Sequence, residues 1–80
     1  MKVTVLAFGI VKDIFKGPSA VTDIPAGSTT AELKVLLEYQ YPLLKQLASY
    51  MVAVNNEYAS MNDILQQNDE IAIIPPVSGG

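Results

Sequence analysis

The chain contains no cysteine and no histidine, and its five basic residues are all lysine (Lys2, Lys12, Lys16, Lys34 and Lys45), so arginine is missing as well. Each gap excludes a chemistry. Without cysteine there is neither a disulfide nor a thiolate metal site, and a reducing compartment, the cytoplasm, is expected. Without histidine the commonest metal ligand and general base are gone, and no Ser-His-Asp triad can be assembled. Without arginine there is no planar fork to clamp a phosphate or a carboxylate. No metal site is expected, and no bound cofactor.

Other absences narrow the partners. The lysines are scattered and the net charge is -3, so the basic patch that neutralises nucleic-acid phosphates is lacking. No apolar run approaches the roughly 20 residues that cross a bilayer. The segment from Met1 to Leu6 carries one charge and too short an apolar stretch for a signal peptide. Glycine-rich phosphate loops are not found. The eight acidic residues read as solvated surface, and a paired-carboxylate site would arise only by chance. The chain on its own is not expected to be an enzyme.

What is present is apolar. Half of the 80 residues are hydrophobic and the mean hydropathy is +0.30. That composition suits a densely packed core and leaves apolar surface to be held for a partner. The length gives one domain, close to the lower limit for a core without staples.

The elements follow in order. Lys2 to Phe8 reads as an interior strand, rich in Val3, Thr4, Val5 and Phe8, with both alternating sets largely apolar. Gly9 breaks it. Ile10, Val11, Ile14 and Phe15 then recur at helical spacing, and Gly17-Pro18 closes this short helix. Ser19 to Ile24 is a weaker second strand. Thr29 to Tyr41 is the clearest helix: Thr29 and Glu32 form a capping box, and Leu33, Leu36, Leu37 and Leu44 trace one face. Lys34 and Glu38 are expected to pair weakly on its outer face. Pro42 bends the chain and can start a new turn. Tyr50 to Val54 is a third strand, Asn55-Asn56 a turn, and Glu57 to Ala59 a brief edge strand. Met61 to Gln67 is expected to be a loop with one short helical turn, anchored by Ile64 and Leu65. Asn68-Asp69 turns into the last strand, Glu70 to Ile74, which Pro75-Pro76 ends. One long helix crossing a mixed sheet of four to five strands, with short helices beside it, predicts a β-grasp fold of the α+β class.

The chain end is the feature that chemistry can use. A body over residues 1–76 gives way to a flexible tail over 77–80, Val77-Ser78-Gly79-Gly80. Nothing follows Gly80 in this sequence, so its main-chain carboxylate is expected to be free. Glycine has no Cβ, so Gly79-Gly80 can thread a channel too narrow for other residues. Pro75-Pro76 holds the root extended at low entropic cost. ATP can convert a carboxylate to an acyl adenylate, which a sulfur or amine nucleophile then attacks. Such a carrier needs no reactive side chain.

The run Leu65-x-x-Asn68-Asp69-Glu70-Ile71-Ala72-Ile73-Ile74-Pro75-Pro76-Val77-Ser78-Gly79-Gly80 resembles the terminal signature of the molybdopterin synthase small subunit, the MoaD-type sulfur carrier. Val5-Leu6-Ala7-Phe8, Ala53-Val54-Asn55 and Tyr41-Pro42 fit the same pattern, so the resemblance spans essentially the whole chain. Two positions depart from it. Asn68 stands where the family usually has glycine, and asparagine also accepts the left-handed conformation. Lys12 stands where the family often has arginine, supplying the charge without the fork.

The resemblance implies a role and partners. A MoeB-like adenylyltransferase would adenylate Gly80 with MgATP, and a sulfurtransferase system would convert it to a thiocarboxylate. The tail, Pro76, Val77, Ser78, Gly79 and Gly80, would enter a MoaE-type large subunit within a heterotetramer. Sulfur would pass there to the cyclic pyranopterin precursor in molybdenum cofactor biosynthesis, on catalytic side chains of the large subunit. Phe8, Tyr58 and Ile74 fall where the family contacts that subunit, although Phe8 and Ile74 can equally be core. Asp69 and Glu70 fit either a contact to the activating enzyme or plain turn geometry. The same tail would also serve a sulfur carrier of another pathway, such as thiamine synthesis, or a ubiquitin-like protein modifier. A β-grasp binding module with an incidental Gly-Gly is the remaining reading.

Overall fold

Glu70–Ile74 is the middle strand of a five-stranded mixed sheet, and the fold is arranged around it. The computed structural model describes residues 1–47 and 49–76. Within them the chain forms β1 (Lys2–Ala7), α1 (Ile10–Phe15), β2 (Ser19–Asp23), α2 (Thr30–Gln40), a 3-10 helix (Pro42–Gln46), β3 (Met51–Val54), β4 (Glu57–Tyr58) and β5 (Glu70–Ile74). The strand order is β2-β1-β5-β3-β4. β1 pairs antiparallel with β2 and parallel with β5, and β3 pairs antiparallel with both β5 and β4. This is the β-grasp architecture expected from the sequence.

The strands obey period-two alternation, and one set of side chains builds the core. Val3, Val5, Ala7, Val52, Ile71 and Ile73 face Leu33, Leu37 and Leu44 from the helical layer, with Val11 and Phe15 of α1 completing the cluster. Each large aliphatic side chain buried there contributes about 1.5–3 kcal/mol. The α2 stripe is therefore the expected one, with Leu36 half-buried at its margin. Phe15 stacks against Tyr41 at a centroid distance of 4.5 Å, tying α1 to the end of α2.

Local chemistry sets the element ends. The capping box is complete: the Glu32 amide donates to the Thr29 hydroxyl, and the Thr29 amide donates to the Glu32 carboxylate at 2.9 Å. Pro42 opens the 3-10 helix. Asn55 (φ 53°) and Asn56 (φ 71°) form a two-residue turn between β3 and β4, with both residues left-handed. Asn68 has φ 74°, so asparagine does take the left-handed position for which the resemblance favours glycine. The Met1 ammonium donates to the Asp23 carboxylate (3.1 Å) and the Ile24 carbonyl (2.8 Å), anchoring the start of β1 beside the end of β2.

Two local expectations are corrected. The 61–67 segment has no helical turn; it is built of turns and one isolated bridge between Thr29 and Ile64. Only Leu65 anchors it, because Ile64 is 60% exposed. The backbone of this segment is already engaged elsewhere: Thr30 donates to Asp63, Ala31 to Met61 and Leu65 to Ser28. Those bonds hold the loop across the start of α2, so a local helix is not formed. Lys34 and Glu38 do not pair on an outer face either. Both are half-buried and turn towards Tyr50: the Tyr50 hydroxyl donates to Glu38, and the Lys34 ammonium lies 4.8 Å from the Tyr50 ring centre. A buried phenol needs a partner, and that requirement outweighs a solvated ion pair worth a few tenths of a kcal/mol.

Candidate functional site

The face of the sheet turned away from the helices carries the second alternating set. Pairing register lines up one row across four strands: Leu6 opposite Ala72, Ala72 opposite Ala53, and Ala53 opposite Tyr58. Two alanines lie in the middle of this row, with larger side chains on both sides. A row of that shape is a trough. Leu6, Phe8, Ala53, Asn56, Tyr58, Glu70, Ala72 and Ile74 line a groove of about 350 Å³. Six of these eight residues are apolar, and Glu70 and Asn56 contribute polar groups.

Phe8, Tyr58 and Ile74, which are far apart in the sequence, all line this one groove. Phe8 is 45% exposed and Ile74 half-buried on the helix-free face, so neither belongs to the buried core. Tyr58 is 67% exposed on the short edge strand β4. Leu6, Ala53 and Ala72 join them; each lies in a stretch that carries the resemblance, but none is marked there as a contact. Period-two counting supplies the missing signal, because Leu6 shares a face with Phe8 and Ala72 shares one with Ile74.

Asp69 and Glu70 have separate roles. Asp69 accepts hydrogen bonds from the Gln66 amide (2.8 Å) and the Asn55 side chain (3.0 Å). The Asn55 side-chain oxygen accepts from the Glu70 amide (3.0 Å), while the Asn55 amide donates to the Glu70 carbonyl (2.8 Å). This lattice fixes the register of β5 against the β3-β4 turn. Turn geometry therefore accounts for Asp69, whereas Glu70 lines the groove.

Pro75, half-buried, and Pro76, exposed, leave the sheet beside the groove. Because β1 and β5 run parallel, their C-terminal ends lie at the same edge of the sheet. Phe8-Gly9 thus neighbours Ile74-Pro75. Val77, Ser78, Gly79 and Gly80 lie outside the described residues, and with them the carboxylate singled out in the sequence. Among the described residues no group of three or more Asp and Glu side chains could hold a metal ion, and no helix is long and apolar enough to cross a membrane.

A β-grasp body with a helix-free apolar groove and a Pro-Pro segment leaving beside it defines a ubiquitin-like domain. The ThiS family model matches residues 5–80, and the chain belongs to that family. Two relatives illustrate the match. The molybdopterin synthase sulfur carrier subunit of Dictyostelium discoideum is 44% identical over 80 residues, covering 95% of this chain and 93% of the relative. The protein of the same name from Arabidopsis thaliana is 37% identical over 81 residues, covering 100% and 84%.

Solved structures agree in fold. The putative molybdopterin converting factor subunit 1 from Pyrococcus furiosus superposes with a TM-score of 0.88 at 22% identity, covering 96% of this chain and 99% of that one. The small archaeal modifier protein 1 of Haloferax volcanii gives 0.83 at 19% identity, covering 95% and 98%. At these identities the likeness is one of fold. A chain of the complex of subunits 1 and 2 of the molybdopterin-converting factor from Helicobacter pylori gives 0.70 at 28% identity, covering the full length of both.

Proposed function

We propose that this chain is the sulfur carrier subunit of a molybdopterin synthase. One observation carries the reading: the family match runs from residue 5 through residue 80, so it includes the Gly-Gly tail as well as the body. The relatives that share this full length are sulfur carrier subunits by name.

The mechanism follows from the chemistry available. The Gly80 carboxylate attacks the α-phosphorus of MgATP on a MoeB-like activating enzyme and releases pyrophosphate. A hydrosulfide equivalent delivered by a sulfurtransferase system then displaces AMP, leaving a Gly80 thiocarboxylate and a proton. The body supplies no reacting side chain; it binds and presents the tail. The apolar groove around Phe8, Tyr58 and Ile74 seats a MoaE-type large subunit, into which Pro76 to Gly80 extends. The Helicobacter pylori complex pairs a similar chain with its second subunit, which supports a partner of this kind. Apolar anchors of this sort carry most of the energy of a specific interface.

Mass spectrometry tests the reading. Incubation with the activating enzyme, ATP and a sulfur source should give a mass gain equal to replacement of one oxygen by sulfur, located on the C-terminal fragment. No gain with an activating enzyme that charges a related carrier under the same conditions would sink the proposal. Removing Gly80 should abolish charging and leave the unfolding curve unchanged.

A further inference from the structure

Gly9 joins β1 to α1, and two independent features of the structure favour a glycine there. Its backbone has φ 56° and ψ -130°. The Val11 amide donates to the Phe8 carbonyl at 3.0 Å across it. These are the marks of a type II′ turn with Gly9 at the first central position, a conformation that L residues disfavour. The second feature comes from outside the turn. A Cβ placed on Gly9 would stand 3.2 Å from Cγ of Pro75, closer than ordinary van der Waals contact. Pro75 is the first residue after β5 and the root of the tail.

The contact follows from the topology. β1 and β5 are parallel, with Ala7 opposite Ile73. Continuing that register brings Phe8 beside Ile74 and Gly9 beside Pro75. Phe8 and Ile74 line the groove, and the next residue of each strand forms the Gly9-Pro75 contact. The proline ring thus lies against a backbone with no side chain, at the point where the chain leaves the sheet.

We propose that Gly9 is a positioning residue for sulfur transfer: its bare backbone forms the seat on which Pro75 sets the direction of the tail. This rests on the reading of the tail as the reactive end. A substituent at Gly9 presses Pro75 by a few tenths of an ångström and so changes the direction in which the chain leaves the sheet. The loss therefore falls on the reaction at the chain end more than on binding of the body.

The experiment compares four proteins, unaltered, Gly9→Ala, Pro75→Ala and the double variant, in thiocarboxylate formation by the activating enzyme. Gly9→Ala is expected to lower kcat about tenfold with KM changed less, since displacement of a reacting group by up to 1 Å costs one to two orders of magnitude. Pro75→Ala takes the ring off its seat and should lower kcat to a similar extent, and the double variant should be no lower than the poorer single variant, because both changes act on one contact. The lowered melting temperature of Gly9→Ala should persist in the double variant, because it comes from the turn's own backbone. An unchanged kcat in Gly9→Ala overturns the inference, as do kcat losses that add in full in the double variant. Should Gly9→Ala fail to fold, the unaltered protein decides: a nuclear Overhauser effect between Gly9 Hα and the Pro75 ring protons is expected, and its absence overturns the seat. Failure of the unaltered protein to be charged strikes the functional reading instead, and is thereby distinguishable.

Discussion

The two faces of the sheet are built from alternate residues of the same strands, yet they are packed by opposite rules. On the helix-covered face Val5, Ile71 and Ile73 are fully buried among branched side chains. On the other face Ala53 and Ala72 sit between Leu6 and Tyr58 and leave a groove of about 350 Å³. The first face fills its space and holds the fold. The second withholds side-chain volume at its centre and leaves a groove, the proposed seat of the partner. In β5 the two functions alternate residue by residue, so stability and recognition should be separable by mutations one position apart.

Ile73→Ala against Ile74→Ala is the most severe test of that separation. Ile73 is 0% exposed in the core, so truncation should cost about 2–5 kcal/mol in a urea or thermal titration. That is a large share of the stability of so small a domain. Ile74→Ala, half-buried on the groove side, should cost about 1 kcal/mol or less of stability. In calorimetry against a MoaE-type subunit it should weaken binding about tenfold. Equal stability losses would show that the groove face carries the fold as well.

The converse change fills the groove. Ala72→Phe puts a ring into the floor between Leu6 and Ala53 without touching the core side of β5. Its unfolding midpoint should stay near that of the parent, while on the proposed reading the large subunit's affinity falls by about 2 kcal/mol because the groove that would seat it is filled. Undiminished affinity would mean that the partner sits elsewhere.

Much of this contrast is legible in the amino-acid sequence. The core stripe of α2 follows from spacing, the cap at Thr29 from its partner Glu32 three residues on, and the turns at Asn55-Asn56 and Asn68 from the tolerance of asparagine for positive φ, whereas the apolar runs of β1 and β5 do not say which of their faces is core. The groove is only half legible. Its large walls, Phe8, Tyr58 and Ile74, are marked only by the family resemblance, and its floor is two alanines, because a depression is defined by side chains that are small. Their alignment depends on the register of β5 between β1 and β3, which brings together segments dozens of positions apart. The Gly9-Pro75 contact is hidden for the same reason. Lys34 and Glu38 mislead because helical spacing alone carries no information about a tyrosine arriving from the next strand.

That tyrosine provides a smaller, pH-dependent test of the helix-covered side. Burial, then the hydrogen bond to Glu38 and its charge, hold the Tyr50 hydroxyl protonated well beyond the ordinary value of 10.0. The folded state binds this proton more tightly than the unfolded chain does. The contribution is therefore complete below about pH 10 and is lost progressively as the pH rises above it. Tyr50→Phe should cost about 1–2 kcal/mol at neutral pH, because it removes the donor to Glu38. It should also flatten the alkaline fall in melting temperature. An unchanged alkaline limb would assign that loss to other groups.

The smallest effect is expected at Thr22, and its sign is informative. Among the described residues three with hydroxyl side chains are buried: Ser28, Thr30 and Thr22. Ser28 donates to the Pro25 carbonyl at 2.6 Å and Thr30 to the Asp63 carbonyl at 3.4 Å. The Thr22 hydroxyl, on a residue 2% exposed, is the buried side-chain oxygen without a partner among the described residues. Valine keeps the β-branched shape that suits β2 and replaces the stranded hydroxyl with a methyl. Since an unsatisfied buried hydroxyl costs about 1–3 kcal/mol, Thr22→Val should raise stability by about 1 kcal/mol, read as a higher urea midpoint at constant m-value. The groove should be untouched, with large-subunit affinity unchanged. A loss of stability would instead mean that the hydroxyl has a partner in solution, so that the helix-covered face depends on a polar contact as well as on close packing.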